Sequence, residues 1–253
     1  MANPSALFDL TGRTACITGA SSGLGRRAAV ALAAAGAKVV VIARREEALA
    51  NLSAEIGPSA AHVAADVADN SRLEALRDQI STPFGPPDIL VHAAGINTRQ
   101  AADDVTIAEW NKTLDLNLSA PFFLSQALTP AMRERGWGRI VNFASLQTTR
   151  AFPGGIAYGA SKGGIGQLTR AMAEAWSRFG ITANAIGPGF FPTELTETVF
   201  SDEERAARNA AQTCIGRNGR LEDIDGPLLF LCSEASAYVT GQILMVDGGF
   251  TAK

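Results

Sequence analysis

The sequence predicts one α/β domain, built on a doubly wound parallel sheet with helices on both faces. Three observations predict it. Short apolar runs alternate with helix-length segments along the chain, the pattern of consecutive β-α units. A glycine-rich turn, Thr18-Gly19-Ala20-Ser21-Ser22-Gly23-Leu24-Gly25, joins the first apolar run to the first helix. No linker, repeat or low-complexity tract divides the 253 residues, so a single unit is expected.

The first strand is expected over Arg13 to Thr18, where Ala15, Cys16 and Ile17 are apolar in succession, as in a strand buried on both faces. The glycine turn then opens a helix through Ala35, with Gly36 placed to cap it. Its spacing is G-x3-G-x-G. The physical task is a tight turn, close backbone approach to a pyrophosphate, and N–H groups at a positive helix end. Lys38 to Ala43 reads as the second strand, and a helix follows from Arg44-Arg45-Glu46-Glu47 to about Ile56. Ala60 to Ala65 is a short third strand ending at Asp66-Val67. A helix covers Ser71 to Ile80, and Pro83 to Pro87 turns the chain into a fourth strand, Asp88 to His92, that runs into Ala93-Ala94-Gly95.

A long helix is expected from about Ile107 to Arg133, with Trp110, Leu114, Leu118, Phe122 and Phe123 on its apolar face. Pro121 interrupts it. Proline donates no N–H, so a kink with a free carbonyl at Asn117 is expected. A fifth strand over Arg139 to Ala144 delivers Ser145 at its carboxyl end. Pro153 to Phe179 forms the next helix, closed by Gly180, and Ile181 to Ile186 is the sixth strand, ended by Gly187-Pro188-Gly189. From Phe190 to about Gly216 the chain is polar and helix-tending, either a lid over the site or an ordinary surface excursion. A final helix spans Asp223 to Cys232, and Gln242 to Val246 is a seventh strand.

Composition removes several function classes. A net charge of −3 leaves no footprint for nucleic acid or an anionic membrane. Cys16, Cys214 and Cys232 lack metal-ligand spacing, and His62 and His92 are too few for a histidine-based zinc site, so no metal is expected. Met1-Ala2-Asn3-Pro4-Ser5 has no signal-peptide character and no apolar run reaches spanning length, so the expectation is a soluble cytoplasmic protein.

The chemistry concentrates at Tyr158-Gly159-Ala160-Ser161-Lys162 and Ser145. Four residues apart, Tyr158 and Lys162 share one helix face, and an ammonium beside a phenol favours its ionised form. A phenol of ordinary pKa about 10 then exchanges protons nearer neutrality. Ser145 lies where ligands bind in open α/β sheets. At the end of the second strand, a carboxylate would accept bonds from an adenosine ribose; here that position is Ala43, followed by Arg44. A guanidinium without a carboxylate favours the 2′-phosphate of NADP(H), with NAD possible. The competing reading pairs Arg44 and Arg45 with Glu46 and Glu47 on the surface.

With these motifs in order, the chain resembles the short-chain dehydrogenase/reductase family over nearly its whole length. The motifs are the TGASSGLG turn from Thr18, HAAG from His92, Asn117 in Leu116-Asn117-Leu118, Ser145, the YGASK element and Gly187-Pro188-Gly189. One departure is His92, where the family usually has an asparagine that helps hold the central sheet; no catalytic role is assigned to it. The resemblance implies a Rossmann-type, seven-stranded sheet and a Ser-Tyr-Lys-Asn constellation. Tyr158 would be the general acid in reduction and base in oxidation. Ser145 would bond the substrate oxygen, and Lys162 would hold the nicotinamide ribose and lower the phenol pKa. The main-chain carbonyl of Asn117 would hold a proton-relay water.

By the same resemblance Gly19, Ser21, Ser22, Gly23 and Leu24 would cradle the phosphates, and Asp66, Val67, Ala94 and Gly95 would frame adenosine. Ile186, Pro188, Gly189 and Thr193 would lie near the nicotinamide. The expected substrate pocket is Asn97, Leu146, Gln147, Phe152, Phe190 and Phe191, whose mixed amide and aromatic groups suit a hydroxylated or compact ketone. The Ala-Gly-Ile-Asn run to Asn97 and the carboxyl-terminal pattern are similar to sugar-acid and polyol dehydrogenases such as gluconate 5-dehydrogenases. A 3-oxoacyl-carrier-protein reductase is the enzymatic alternative, and a cofactor-binding sensor or assembly protein the non-enzymatic one. Family members commonly form homotetramers, which is carried over as the expected assembly.

Overall fold

A computed structural model describes residues 4–253. The leader reading rests partly on residues 1–3, which lie outside the described residues. Seven strands form one all-parallel sheet: β1 (Thr14–Thr18), β2 (Lys38–Ala43), β3 (Ala60–Ala64), β4 (Ile89–His92), β5 (Gly138–Phe143), β6 (Ile181–Pro188) and β7 (Ile243–Val246). Their spatial order is β3-β2-β1-β4-β5-β6-β7, so the winding direction reverses between β1 and β4. A crevice opens at the carboxyl ends of those two strands, where open α/β sheets bind ligands.

Every residue of β1, β4 and β5 is buried, the polar His92, Arg139 and Asn142 included, as in strands covered on both faces. Side chains still alternate. Ala15, Ile17, Val39, Val41, Ile89 and Val91 pack on one face against α1 (Gly23–Ala34), α2 (Glu46–Ile56) and α9 (Asp225–Cys232). Cys16, Val40, Ile42 and Leu90 pack on the other against α3 (Leu73–Ser81), α5 (Ala120–Arg135) and α6 (Ile156–Trp176). Truncating a buried leucine there, such as Leu128 of α5, costs about 2–5 kcal/mol.

The expected long helix is two helices. The first, α4 (Ile107–Leu114), runs into a π-helical turn over Asp115–Ser119, and α5 continues from Ala120. The N–H of Ala120 bonds the carbonyl of Asp115, five residues back, immediately before Pro121. The proline therefore marks the distortion, which takes the form of a wider turn. Pro130 also sits inside α5; the carbonyl four residues before it, at Gln126, is taken instead by the Thr129 hydroxyl at 3.4 Å. The segment from Phe190 carries two short helices, α7 (Glu197–Phe200) and α8 (Glu203–Gln212).

Candidate active site

A cleft of about 960 Å³ lies above the carboxyl ends of the strands. On its cofactor side β1 ends at Thr18 and the chain turns at Gly19, with φ of 70°. A Cβ on Gly19 would stand 2.6 Å from the backbone nitrogen of Ala94, so a side chain here would collide with the segment after β4. Ser22 caps α1 without a side-chain bond, leaving the first-turn N–H groups open toward the cleft. Ser21, Ser22, Gly23 and Leu24 line this end; Arg44, Asp66, Val67, Ala94 and Gly95 line its flank. Pro188, Gly189 and Thr193 line the opposite wall.

The surface pairing with Glu46 and Glu47 is absent. Arg44 instead faces Asp66 at 4.0 Å, and Arg45 turns back to the glycine loop, donating to Ser21 Oγ, Ser22 Oγ and both carboxylate oxygens of Glu194. One expected cofactor residue does not reach the cleft. Ile186 is fully buried in the core, because β6 extends two residues further than expected, to Pro188, and Ile186 lies inside the strand.

Ser145, Tyr158 and Lys162 converge on the same cleft. Ser145 stands at the end of β5, where its Oγ accepts from the N–H of Gln147 at 3.1 Å and its own N–H donates to Thr148 Oγ1. These bonds fix its rotamer, and its hydroxyl lies where it favours the ionised form of Tyr158. Lys162 Nζ donates to the carbonyl of Phe143 at 2.6 Å and lies 5.6 Å from the Tyr158 ring centre. Asn117 is buried behind them. Its amide clasps both backbone groups of Ile96 at 2.9 Å and donates to Ser161 Oγ at 3.0 Å, tying the segment after β4 to α6. The expected pocket residues Asn97, Leu146, Gln147, Phe152, Phe190 and Phe191 all line the substrate end. Phe152 and Phe190 also stack edge-on, their ring centres 6.3 Å apart.

Comparison with known proteins agrees with this geometry. A family model described as enoyl-(acyl carrier protein) reductase matches residues 19–251. The chain is 39% identical over 248 residues to gluconate 5-dehydrogenase of Gluconobacter oxydans (strain 621H), covering 97% of each. The chain belongs to the short-chain dehydrogenase/reductase family. It is 37% identical over 242 residues to the 3-oxoacyl-[acyl-carrier-protein] reductase of Escherichia coli (strain K12), covering 96% of this chain and 98% of that one. A gluconate 5-dehydrogenase from Burkholderia cenocepacia J2315, solved in complex with NADP and tartrate, superposes with a TM-score of 0.95 at 37% identity, covering 99% and 100% of the two chains. This short-chain dehydrogenase/reductase is thus an oxidoreductase of the alcohol/ketone class on a Rossmann-type sheet, the fold and activity the sequence predicted.

The electrostatics of this short-chain dehydrogenase/reductase correct one expectation. The pKa of Tyr158 is raised, because burial of the phenol outweighs the hydrogen bond from Ser145 and the charge of Arg99, which both lower it. Lys162 Nζ gives one of its three N–H donors to the Phe143 carbonyl, and burial pushes its own pKa down to about 8. Arg99 is a further cation that favours the phenolate, and sequence reasoning missed it. Arg99 lines the cleft, donates to the Leu195 carbonyl at 2.7 Å and to Thr198 Oγ1, and has a φ of 51°. It is the one described non-glycine residue in the left-handed region, a conformation that clusters at functional sites. Nothing in a loop sequence marks such an arginine. His92 is buried, its Nε2 at 2.8 Å from Ser125 Oγ, so it joins β4 to α5 as the usual asparagine would join sheet elements, and burial lowers its pKa to about 4.

Proposed function

We propose that this enzyme moves a hydride between NADP(H) and an alcohol/ketone pair carried by a small polyhydroxylated carboxylic acid. Arg99 is the observation that carries the substrate class. Its charge acts on Tyr158, so an anionic group beside the reacting carbon would find a guanidinium suited to bidentate pairing. Gln147 adds support, since it lines the same cleft and brings an amide to it. The relatives named as gluconate 5-dehydrogenases agree with both.

The cleft fits the cofactor. The Gly19 cradle and the open end of α1 suit a pyrophosphate, and a Cβ on Gly189 would stand 2.8 Å from Asp247 Cα, so the chain there passes too close to its neighbour to carry a side chain. Arg44 and the absent carboxylate at Ala43 support NADP(H), as do relatives solved with NADP bound. When bound, the nicotinamide supplies or accepts the hydride. In reduction Tyr158 donates the phenolic proton to the carbonyl oxygen, and in oxidation it takes that proton back. Ser145 donates a hydrogen bond to the same oxygen and stabilises its growing negative charge. Lys162 holds the ribose hydroxyls, and a water on the main-chain carbonyl of Asn117 relays the proton onward. The 190–216 segment acts as the lid of this single domain; its residues Thr196 and Val199 line the cleft, which supports that role.

For the assembly, exposed Phe123 on α5 and Leu244 on the edge strand β7 support a homotetramer, to be checked by light scattering. The cytoplasmic location is supported by three free cysteines. No described helix is long and apolar enough to cross a membrane. The deciding experiment follows NADPH absorbance with keto-sugar acids, neutral keto-sugars and 3-oxoacyl thioesters. Preference for the keto-sugar acids is expected. Turnover confined to the thioesters would replace this reading by that of a 3-oxoacyl reductase, which the Escherichia coli relative supports.

A further inference from the structure

The guanidinium of Arg45 is fully engaged. Nε and Nη2 donate to Ser21 Oγ at 3.1 and 2.9 Å, Nη2 also reaches Ser22 Oγ at 2.9 Å, and Nη1 and Nη2 hold the two oxygens of Glu194 at 2.8 and 2.9 Å. Arginine has five N–H donors, and here only one, on Nη1, is uncommitted. Two of its partners belong to the phosphate-binding turn, and the third comes from the lid, 149 residues away in the chain. Glu194 in turn has its pKa lowered, first by the Arg45 bond. A carboxylate thus rests on a guanidinium beside the turn, next to Arg44, whose side chain is 69% exposed and 4.0 Å from Asp66.

We propose that Glu194 is a resident competitor of the cofactor's 2′-phosphate for Arg45. The inference rests on the NADP(H) reading above. A phosphate carrying about −1.5 to −2 charges, with three acceptor oxygens, outbids a single carboxylate for the same planar donor face. The two anions compete for it, because a single Nη1 hydrogen is the one donor left free and the like charges repel. Arrival of the 2′-phosphate therefore releases Glu194, and with it the cofactor-side anchor of residues 194–198. The anchors from Arg99 to Leu195 and Thr198 and from Arg205 to the Thr198 carbonyl stay in place. NADP(H) then differs from NAD(H) in how the lid is held as well as in affinity, and Glu194 sets how strongly the enzyme discriminates between the two.

The test uses 2′,5′-ADP and 5′-ADP, measured by calorimetry on the full chain without substrate. Glu194→Gln keeps the shape and removes the charge. An exposed ion pair of this kind is worth roughly 0.4–1 kcal/mol, so the variant is expected to tighten 2′,5′-ADP about two- to fivefold relative to 5′-ADP. In the Arg45→Ala background the same substitution should leave that ratio where it was. Amide exchange of residues 194–198 should quicken when wild type binds 2′,5′-ADP and stay unchanged with 5′-ADP. An unchanged ratio in Glu194→Gln, or protection of the segment by 2′,5′-ADP, overturns the proposal while leaving the NADP(H) reading intact. Equal wild-type affinity for the two ligands overturns both.

Discussion

His92 makes the acid stability of this enzyme depend on one buried imidazole. Burial lowers its pKa from 6.5 to about 4, so the folded chain holds it neutral while the unfolded chain protonates it below 6.5. The sign follows from linkage. Between those two values the unfolded state binds more protons, so the contribution is whole above pH 6.5 and is lost as pH falls toward 4. From these values the loss between pH 7 and pH 5 is about 2 kcal/mol. The perturbation is His92→Asn, which keeps a polar partner for Ser125 and removes the titration. Urea unfolding at both pH values, at matched protein concentration and read by fluorescence and circular dichroism, gives the two stability differences. The variant is expected to lose about 2 kcal/mol less than wild type on acidification, whatever its stability at pH 7. Equal losses in the two proteins would refute the buried, neutral imidazole.

Three further predictions concern the reaction. Tyr158→Phe should lower turnover by at least the roughly 10²–10⁴-fold typical of one acid/base group, in a steady-state assay; unchanged turnover removes the phenol from the mechanism. Arg44→Ala should weaken NADPH about 10- to 150-fold more than NADH in fluorescence titrations, the worth of one charge-assisted bond, and equal losses exclude the phosphate contact. Arg99→Ala should raise KM for a keto-sugar acid by about 10- to 150-fold and leave a neutral keto-sugar much less affected. A uniform loss across both substrates would assign Arg99 to holding the lid alone.

Most of the strand positions, the glycine turn and the shared face of Tyr158 and Lys162 were legible because each depends on spacing within a few residues. Tyr158 and Lys162 share a face through helical geometry alone, and the glycine turn announces itself by following a strand and preceding a helix. Strand ends were less legible. The two extra residues of β6 carry Ile186 into the core, and no residue type at Gly187 or Pro188 signals that pairing with β7 continues past it. The π-helical turn was half legible: Pro121 locates the break, but the choice of a wider turn depends on what Asn117 and its neighbours meet across α6.

Local chemistry in the chain determined the fold class, the hydride-transfer family and which side chains are candidates for the reaction. Tertiary structure decided the electrostatics around them. Burial, which no sequence window measures, raises the Tyr158 pKa, and Arg99, brought in from a loop, is a cation that opposes that shift. The pairing of Arg45 with Glu194 likewise exists only because the sheet winds both ways from β1 and brings the glycine turn beside the segment that follows β6. Coulombic effects depend on distance and dielectric, and both are set by the packed chain.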